Sequence, residues 1–138
     1  MACASNQGSS QSFRASANTF SFDRNQRKID IRLDATITGW TVNCSRTHAI
    51  VWGKADDLEE VGAPPATRVY VVDIEHDKPI NQYTVTRGPY EVIFSQDLRQ
   101  ASVDDYVIDQ NSGEIVGMTE DINLMAESCP SFPDKQLN

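Results

Sequence analysis

The stretch Lys28-Ile29-Asp30-Ile31-Arg32-Leu33-Asp34-Ala35-Thr36-Ile37 decides how this chain is read. Ile29, Ile31, Leu33, Ala35 and Ile37 occupy every second position, and Asp30, Arg32, Asp34 and Thr36 fill the positions between. An extended backbone turns successive side chains to opposite faces, so this period of two predicts a strand with one face buried and one solvated. Outward from it, similar runs recur at 40–44, 49–52, 69–74, 82–86, 90–94, 103–108 and 114–118. Turn formers separate them: Gly39, Gly62-Ala63-Pro64-Pro65, Asp77-Lys78-Pro79, Arg87-Gly88-Pro89 and Asn111-Ser112-Gly113. One segment, 120–127, predicts a short helix, with Thr119 as its cap, Glu120 and Asp121 in the first turn, and Ile122, Met125 and Ala126 on one face. The expected class is all-β, with antiparallel sheets and one short helix near 120–127.

Comparing the chain with itself adds an internal repeat. Phe20-Ser21-Phe22-Asp23-Arg24-Asn25, with Ile29 six residues after the aspartate, matches Tyr106-Val107-Ile108-Asp109-Gln110-Asn111, with Ile115 six after its own. Tyr70-Val71-Val72-Asp73, with Ile80 seven after, is the same unit with one more turn residue. Each reads as a strand ending in Asp, a tight turn and a returning strand. The carboxylate accepts backbone N–H bonds from the turn, which makes these aspartates turn formers before anything catalytic. The run 69–85 resembles a blade of the β-propeller repeat families. That resemblance implies sheets of about four strands and about 40 residues per unit, and a closed ring usually needs at least four units. The folded part holds three at most, so an incomplete or propeller-like arrangement is expected. It forms a single domain over 19–138 behind a flexible amino-terminal tether over 1–18.

The 138 residues carry 12 Lys+Arg against 20 Asp+Glu, a net charge of −8. No apolar run approaches the roughly 18 residues of a spanning helix. Phosphate binding needs clustered cations, and the longest basic cluster is Arg24, Arg27 and Lys28, so nucleic acid is excluded as a partner. The acidity is concentrated: no Lys or Arg lies between Arg99 and Lys135, where Asp104, Asp105, Asp109, Glu114, Glu120, Asp121, Glu127 and Asp134 fall. This stretch is either a solvated face or a docking surface for a basic protein, whose encounter complementary potential would speed.

Cysteines stand at 3, 44 and 129. With an odd count one is set apart, and Cys3 lies in a polar start while Cys44 and Cys129 flank the body of the domain. A Cys44–Cys129 bridge would contribute about 4 to 5 kcal/mol on the chain-entropy model and would persist only in an oxidising compartment. The start, Met1-Ala2-Cys3-Ala4-Ser5-Asn6, followed by a Ser/Gln-rich tether, contains no apolar signal core. It looks like the mature start of a bacterial lipoprotein, which implies a lipid on Cys3, a periplasmic location and membrane contact only through that lipid. A cytosolic protein with three unrelated thiols is the alternative.

Chemistry-bearing motifs are sparse. His48 and His76 sit in no nucleophile motif, and neither G-x-S-x-G nor Cys-x-x-Cys occurs. Asp56-Asp57-Leu58-Glu59-Glu60 lacks the spacing and the glycine of a calcium loop and reads as solvated. No catalytic residue, metal or cofactor is expected, which leaves binding. The loop Ser95-Gln96-Asp97-Leu98-Arg99-Gln100 is polar apart from Leu98, which no strand pattern explains. In a cleft, Ser95 and Gln96 would supply neutral hydrogen bonds, Asp97 a charge and Leu98 an anchor. A plain surface crossover is the other reading. Arg87-Gly88-Pro89-Tyr90 and Gln110-Asn111-Ser112 would extend the patch.

In size, acidity and propeller-like pattern the chain is similar to the periplasmic immunity proteins of type VI secretion peptidoglycan amidase effectors. The resemblance implies a non-enzymatic inhibitor whose protruding loop plugs the amidase cleft, with a small hydroxyl residue, here Ser95, approaching the catalytic Cys and His. Its partner would be a cell-wall hydrolase with a basic surface. Two other readings compete: an envelope-assembly lipoprotein joined through its sheet edges, and a carbohydrate-binding module stacking sugars on Trp40, Trp52 and Tyr83. Core packing is the competing role for both tryptophans.

Overall fold

The computed structural model describes residues 13–55 and 66–129. Within them the period-two runs become eleven strands in three antiparallel sheets, each following chain order. The first sheet holds β1 (Arg14–Ser16), β2 (Thr19–Arg24) and β3 (Arg27–Arg32). The middle sheet holds β4 (Ala35–Val42), β5 (His48–Ala55), β6 (Thr67–Asp73) and β7 (Lys78–Val85). The third holds β8 (Val92–Phe94), β9 (Gln100–Val103), β10 (Tyr106–Asp109) and β11 (Ile115–Met118). None closes into a barrel, so the all-β, propeller-like but incomplete arrangement is what the chain adopts. Each repeated Asp unit is the last hairpin of one sheet: β2–β3, β6–β7 and β10–β11.

The layering follows from the sequences of β5 and β6. Ala49-Ile50-Val51-Trp52 and Val69-Tyr70-Val71-Val72 are apolar without alternation, the signature of a strand buried on both faces. Ala49, Val51, Tyr70 and Val72 join Phe20, Phe22 and Ile31 of the first sheet, and Phe13 and Leu33 flanking it, in one core. Ile50, Trp52, Val69 and Val71 join Val92, Phe94, Ala101, Val103 and Ile108 of the third in another. The middle sheet is thus a wall between two cores, with a sheet over each. Gly39 fits this wall because a Cβ there would come within 2.6 Å of the Trp52 ring.

Several expectations are corrected. The deciding stretch is two strands in two sheets: β3 ends at Arg32 and β4 starts at Ala35. Between them the Leu33 N–H bonds Asn18 O at 2.8 Å and the Asp34 N–H bonds the Tyr70 hydroxyl at 3.0 Å, carrying the chain across. The alternation never breaks because both strands turn Ile29, Ile31, Leu33, Ala35 and Ile37 to the same core. The run 103–108 is likewise two strands, folded at Asp104, whose φ is +53°, and Asp105.

The helix near 120–127 reduces to one 3-10 turn, Thr119–Asp121. Beyond it an extended strap returns along the outer face of the third sheet. Ile122 rests on Gly117, where an added Cβ would meet it at 2.8 Å. The Gln96 N–H then bonds Met125 O, the Glu127 N–H bonds Phe94 O, each at 2.8 Å, and Ser95 bridges Ala126. The segment must run from the end of β11 to the far end of β8, which extended backbone covers at about 3.3 Å per residue and a helix at only about 1.5 Å. The strap ends in the expected Cys44–Cys129 disulfide, with a Cα separation of 5.8 Å.

At the amino terminus Phe13 is buried and β1 begins at Arg14, so the tether boundary expected at residue 18 falls inside the first hairpin. Residues 1–12 with Cys3, and the acidic run 56–60, lie outside the described residues.

Candidate functional site

Because β4, β6, β8 and β10 run the same way, the turns after them gather at one end of the two larger sheets. A buried amide pair holds them together. Asn43 and Gln110, both without solvent exposure, meet through the Asn43 Nδ2 donor and the Gln110 Oε1 acceptor at 3.1 Å. Asn43 Oδ1 accepts the N–H groups of Thr47 and His48 at 2.8 and 3.2 Å. Gln110 donates from Nε2 to Gln100 O at 2.8 Å and from its backbone N–H to Arg99 O at 2.7 Å. Buried amides with every group matched fix a single arrangement, so the turns sit on a rigid base.

The repeated aspartates behave as turn formers at two of three positions. Asp109 Oδ1 accepts the N–H groups of Asn111 and Ser112 at 2.8 and 2.9 Å, and Asp73 Oδ1 accepts that of His76 at 3.1 Å. Asp23 instead pairs with Arg14 at 3.2 Å.

The expected loop is a tight hairpin turn from β8 to β9. Ser95 is 4% exposed, its hydroxyl donates to Asp97 Oδ1 at 2.6 Å, and its Oγ accepts the Gln100 N–H at 2.9 Å. The Arg99 N–H closes on Asp97 Oδ1 at 3.0 Å. The Ser95 hydroxyl first, and the Arg99 N–H second, hold the Asp97 carboxyl below the usual carboxylate range. Ser95 is therefore a clasp beneath the tip, and the role of a hydroxyl presented to a partner's Cys and His does not fit its burial. Gln96, Asp97, Leu98 and Arg99 are what the turn exposes. Leu98 is 39% exposed and sits at φ +64°, a left-handed conformation that suits Gly or Asn and strains a branched side chain.

Asn111 and Ser112 stand exposed at the same end, and Met125, 60% exposed, joins the tip through its carbonyl bond to the Gln96 N–H. The sequence placed Met125 on a helix face; only its neighbourhood in the fold brings it here. Arg87 and Tyr90 are not part of this patch. They precede β8, so its length carries them to the opposite end, where they line a groove of about 640 Å³ with Pro89, Asp104, Asp105 and Tyr106. There the N–H groups of Tyr90 and Glu91 bond Asp104 Oδ1 at 2.7 and 2.8 Å.

Other candidates are placed differently. Trp52 is 1% exposed, Trp40 packs edge-on to Phe20 in the first core, and Tyr83 packs on Tyr106 beside the second. Trp40 lies across the middle sheet from Trp52 and Tyr83, and Trp52 is buried, so the three rings form no shared stacking platform for a sugar. His48 is buried, contacts Thr47 Oγ1 through Nδ1 at 3.1 Å, and burial pushes its pKa down. His76 is exposed and meets Asp73 Oδ2 at 2.7 Å. Among the described residues, the one grouping with metal-ligand dimensions is Cys44, Glu127 and Cys129, and its two sulfurs are joined to each other. No known protein family matches the chain, and no curated protein is similar to it in sequence.

Proposed function

We propose that this protein acts by binding, as a periplasmic inhibitor whose turn tip Gln96–Arg99 enters the cleft of a basic partner, and that the partner is a peptidoglycan-degrading amidase toxin. Leu98 carries the reading: of the seven non-glycine residues at positive φ among the described residues, it is the one with a bulky apolar side chain. A bulky apolar residue held exposed at φ +64° breaks the local preference at some cost to folding, and such violations cluster where a site needs them. The Ser95–Asp97–Arg99 clasp and the Gln110 amide hold the tip in one shape before any encounter, which lowers the entropy lost on binding. The stretch from residue 100 to 134, which holds acidic residues and no Lys or Arg, supplies attraction for a basic partner. The disulfide is compatible with an oxidising, extracytoplasmic compartment, and the amidase identity comes from the immunity-protein resemblance.

The test is copurification from periplasm followed by assay of the captured hydrolase on peptidoglycan. A stoichiometric amidase, inactive in the complex, is expected. Leu98→Gly should weaken inhibition at least about tenfold, the scale of a small hot spot, without lowering Tm, because relief of left-handed strain offsets the added chain entropy. Unchanged inhibition by Leu98→Gly, or turnover of peptidoglycan by the isolated protein, removes the reading.

A further inference from the structure

The strand β11 closes the third sheet on one side and, among the described residues, pairs only with β10. Exposed strand edges carry unmatched N–H and C=O groups, and proteins commonly guard them with Lys, Arg, Pro or very short strands. Four of the other five outer strands follow that rule, and the fifth, β4, has no cation or proline but gives its Ile37 N–H to Ala17 O at 2.9 Å. The edge of the first sheet, β3, carries Arg27, Lys28 and Arg32; β7 carries Lys78 and Pro79; β1 and β8 are three residues long. By contrast β11 reads Ile-Val-Gly-Met, with Ile115, Val116 and Met118 exposed by 46, 48 and 41%. Its guards are a length of four residues and a bulge at Val116, between the Ile108–Ile115 and Val107–Gly117 pairs; it carries no cation or proline.

Charge says what would cover it. Glu114 precedes the strand, Glu120 and Asp121 follow it, and Asp105 lies beside its end, where the Thr119 N–H bonds Asp105 O at 2.8 Å. The described chain offers no Lys or Arg from residue 100 onward; Arg87, which shares a groove with Asp104 and Asp105, is a cation at that end, set against these four carboxylates and Asp104. We infer that β11 is a strand-addition edge that accepts an extended segment of a basic protein, whose backbone continues the third sheet while its apolar side chains meet Ile115, Val116 and Met118 and its cations reach the flanking carboxylates. A second copy of this chain is disfavoured, because pairing two such edges would bring two acidic flanks together. The inference does not rest on the turn-tip reading, since the tip belongs to another edge of the same sheet.

The probe is a labelled peptide of alternating lysine and valine, with a glutamate–valine peptide as its control, titrated against the full chain and followed by amide hydrogen exchange. The lysine peptide should bind, weaken steeply with added salt, and slow exchange at 115–118; the glutamate peptide should do neither. Val116→Lys should cut affinity at least about tenfold, Val116→Thr should retain it, and Leu98→Gly should bind as the wild type does. Both Val116 variants alter an exposed side chain, and unchanged melting confirms the fold. Binding without slowed exchange at 115–118, equal affinity for both peptides, no binding of the lysine peptide, or slow exchange there in the isolated chain through its own tail or a second copy, each overturns the inference.

Discussion

Replacing both Cys44 and Cys129 by Ser probes what holds the outer strap in place. The bridge closes a sequence separation of 85 residues, and loop-closure entropy for that length corresponds to about 4.6 kcal/mol at room temperature. A domain of this size has about 5 to 15 kcal/mol in total, so the loss takes between a third and nearly all of its stability. The native contacts of the strap need not change much, because the Met125 and Phe94 carbonyl bonds and the Ser95–Ala126 bridge remain available. The effect should therefore sit in the unfolded chain. Urea unfolding, fitted with a separate slope for each protein, should show a midpoint lower by about 2 to 3 M for the double variant. A loss below about 1 kcal/mol would refute the reasoning, and three titratable thiols in the oxidised wild type would remove its premise.

Two further outcomes follow from buried groups. His48 has its pKa depressed by burial, so its contribution to stability is complete above about pH 6.5, its ordinary value, and is lost as pH falls from there toward the lower folded value. Tm should hold from pH 8 to 7 and decline on acidification below about 6.5, with a shallower decline in His48→Gln; identical slopes in both proteins would exclude His48 as the cause. Gln110→Leu removes one of two partners of Asn43 Nδ2 and one of two of Gln100 O and buries an apolar group against them, and unfolding free energy should drop by about 2 kcal/mol. A change within about 0.5 kcal/mol would mean the amide pair is not a working joint.

The class, the hairpin units and the disulfide were legible because each leaves a local or pairwise mark: alternation, an Asp before a turn, and two cysteines flanking one body. Sheet membership left none. Residues 28–37 alternate without a break although the chain changes sheets at Leu33–Asp34, since both strands face one core. The strap was misread as a helix because Ile122, Met125 and Ala126 satisfy helical spacing, while the pairing with β8 that makes it extended is a long-range fact. At the site, Gln96 to Arg99 were found through an unexplained Leu98, yet the inward turn of Ser95 depends on hydroxyl bonding invisible to pattern. Arg87 and Tyr90 are near the tip in sequence only; strand direction separates them. Met125 and the β11 edge carried no signal beyond apolarity.

Since every sheet is one uninterrupted piece of chain, the molecule is divisible in the order it is synthesised. The staple links the central piece to the last, whereas the first is fastened by packing, by the Ile37 N–H bond to Ala17 O at 2.9 Å and by Arg24, whose guanidinium donates to Ile74 O and Asp77 Oδ2 at 2.7 and 2.6 Å. Partial opening should therefore begin with residues 13–33 peeling away as a unit, leaving the other two layers cross-linked around the second core and the Ala49, Val51, Tyr70 and Val72 face opened to water. An encounter that tugs on the chain from its amino-terminal side would meet the weakest joint first.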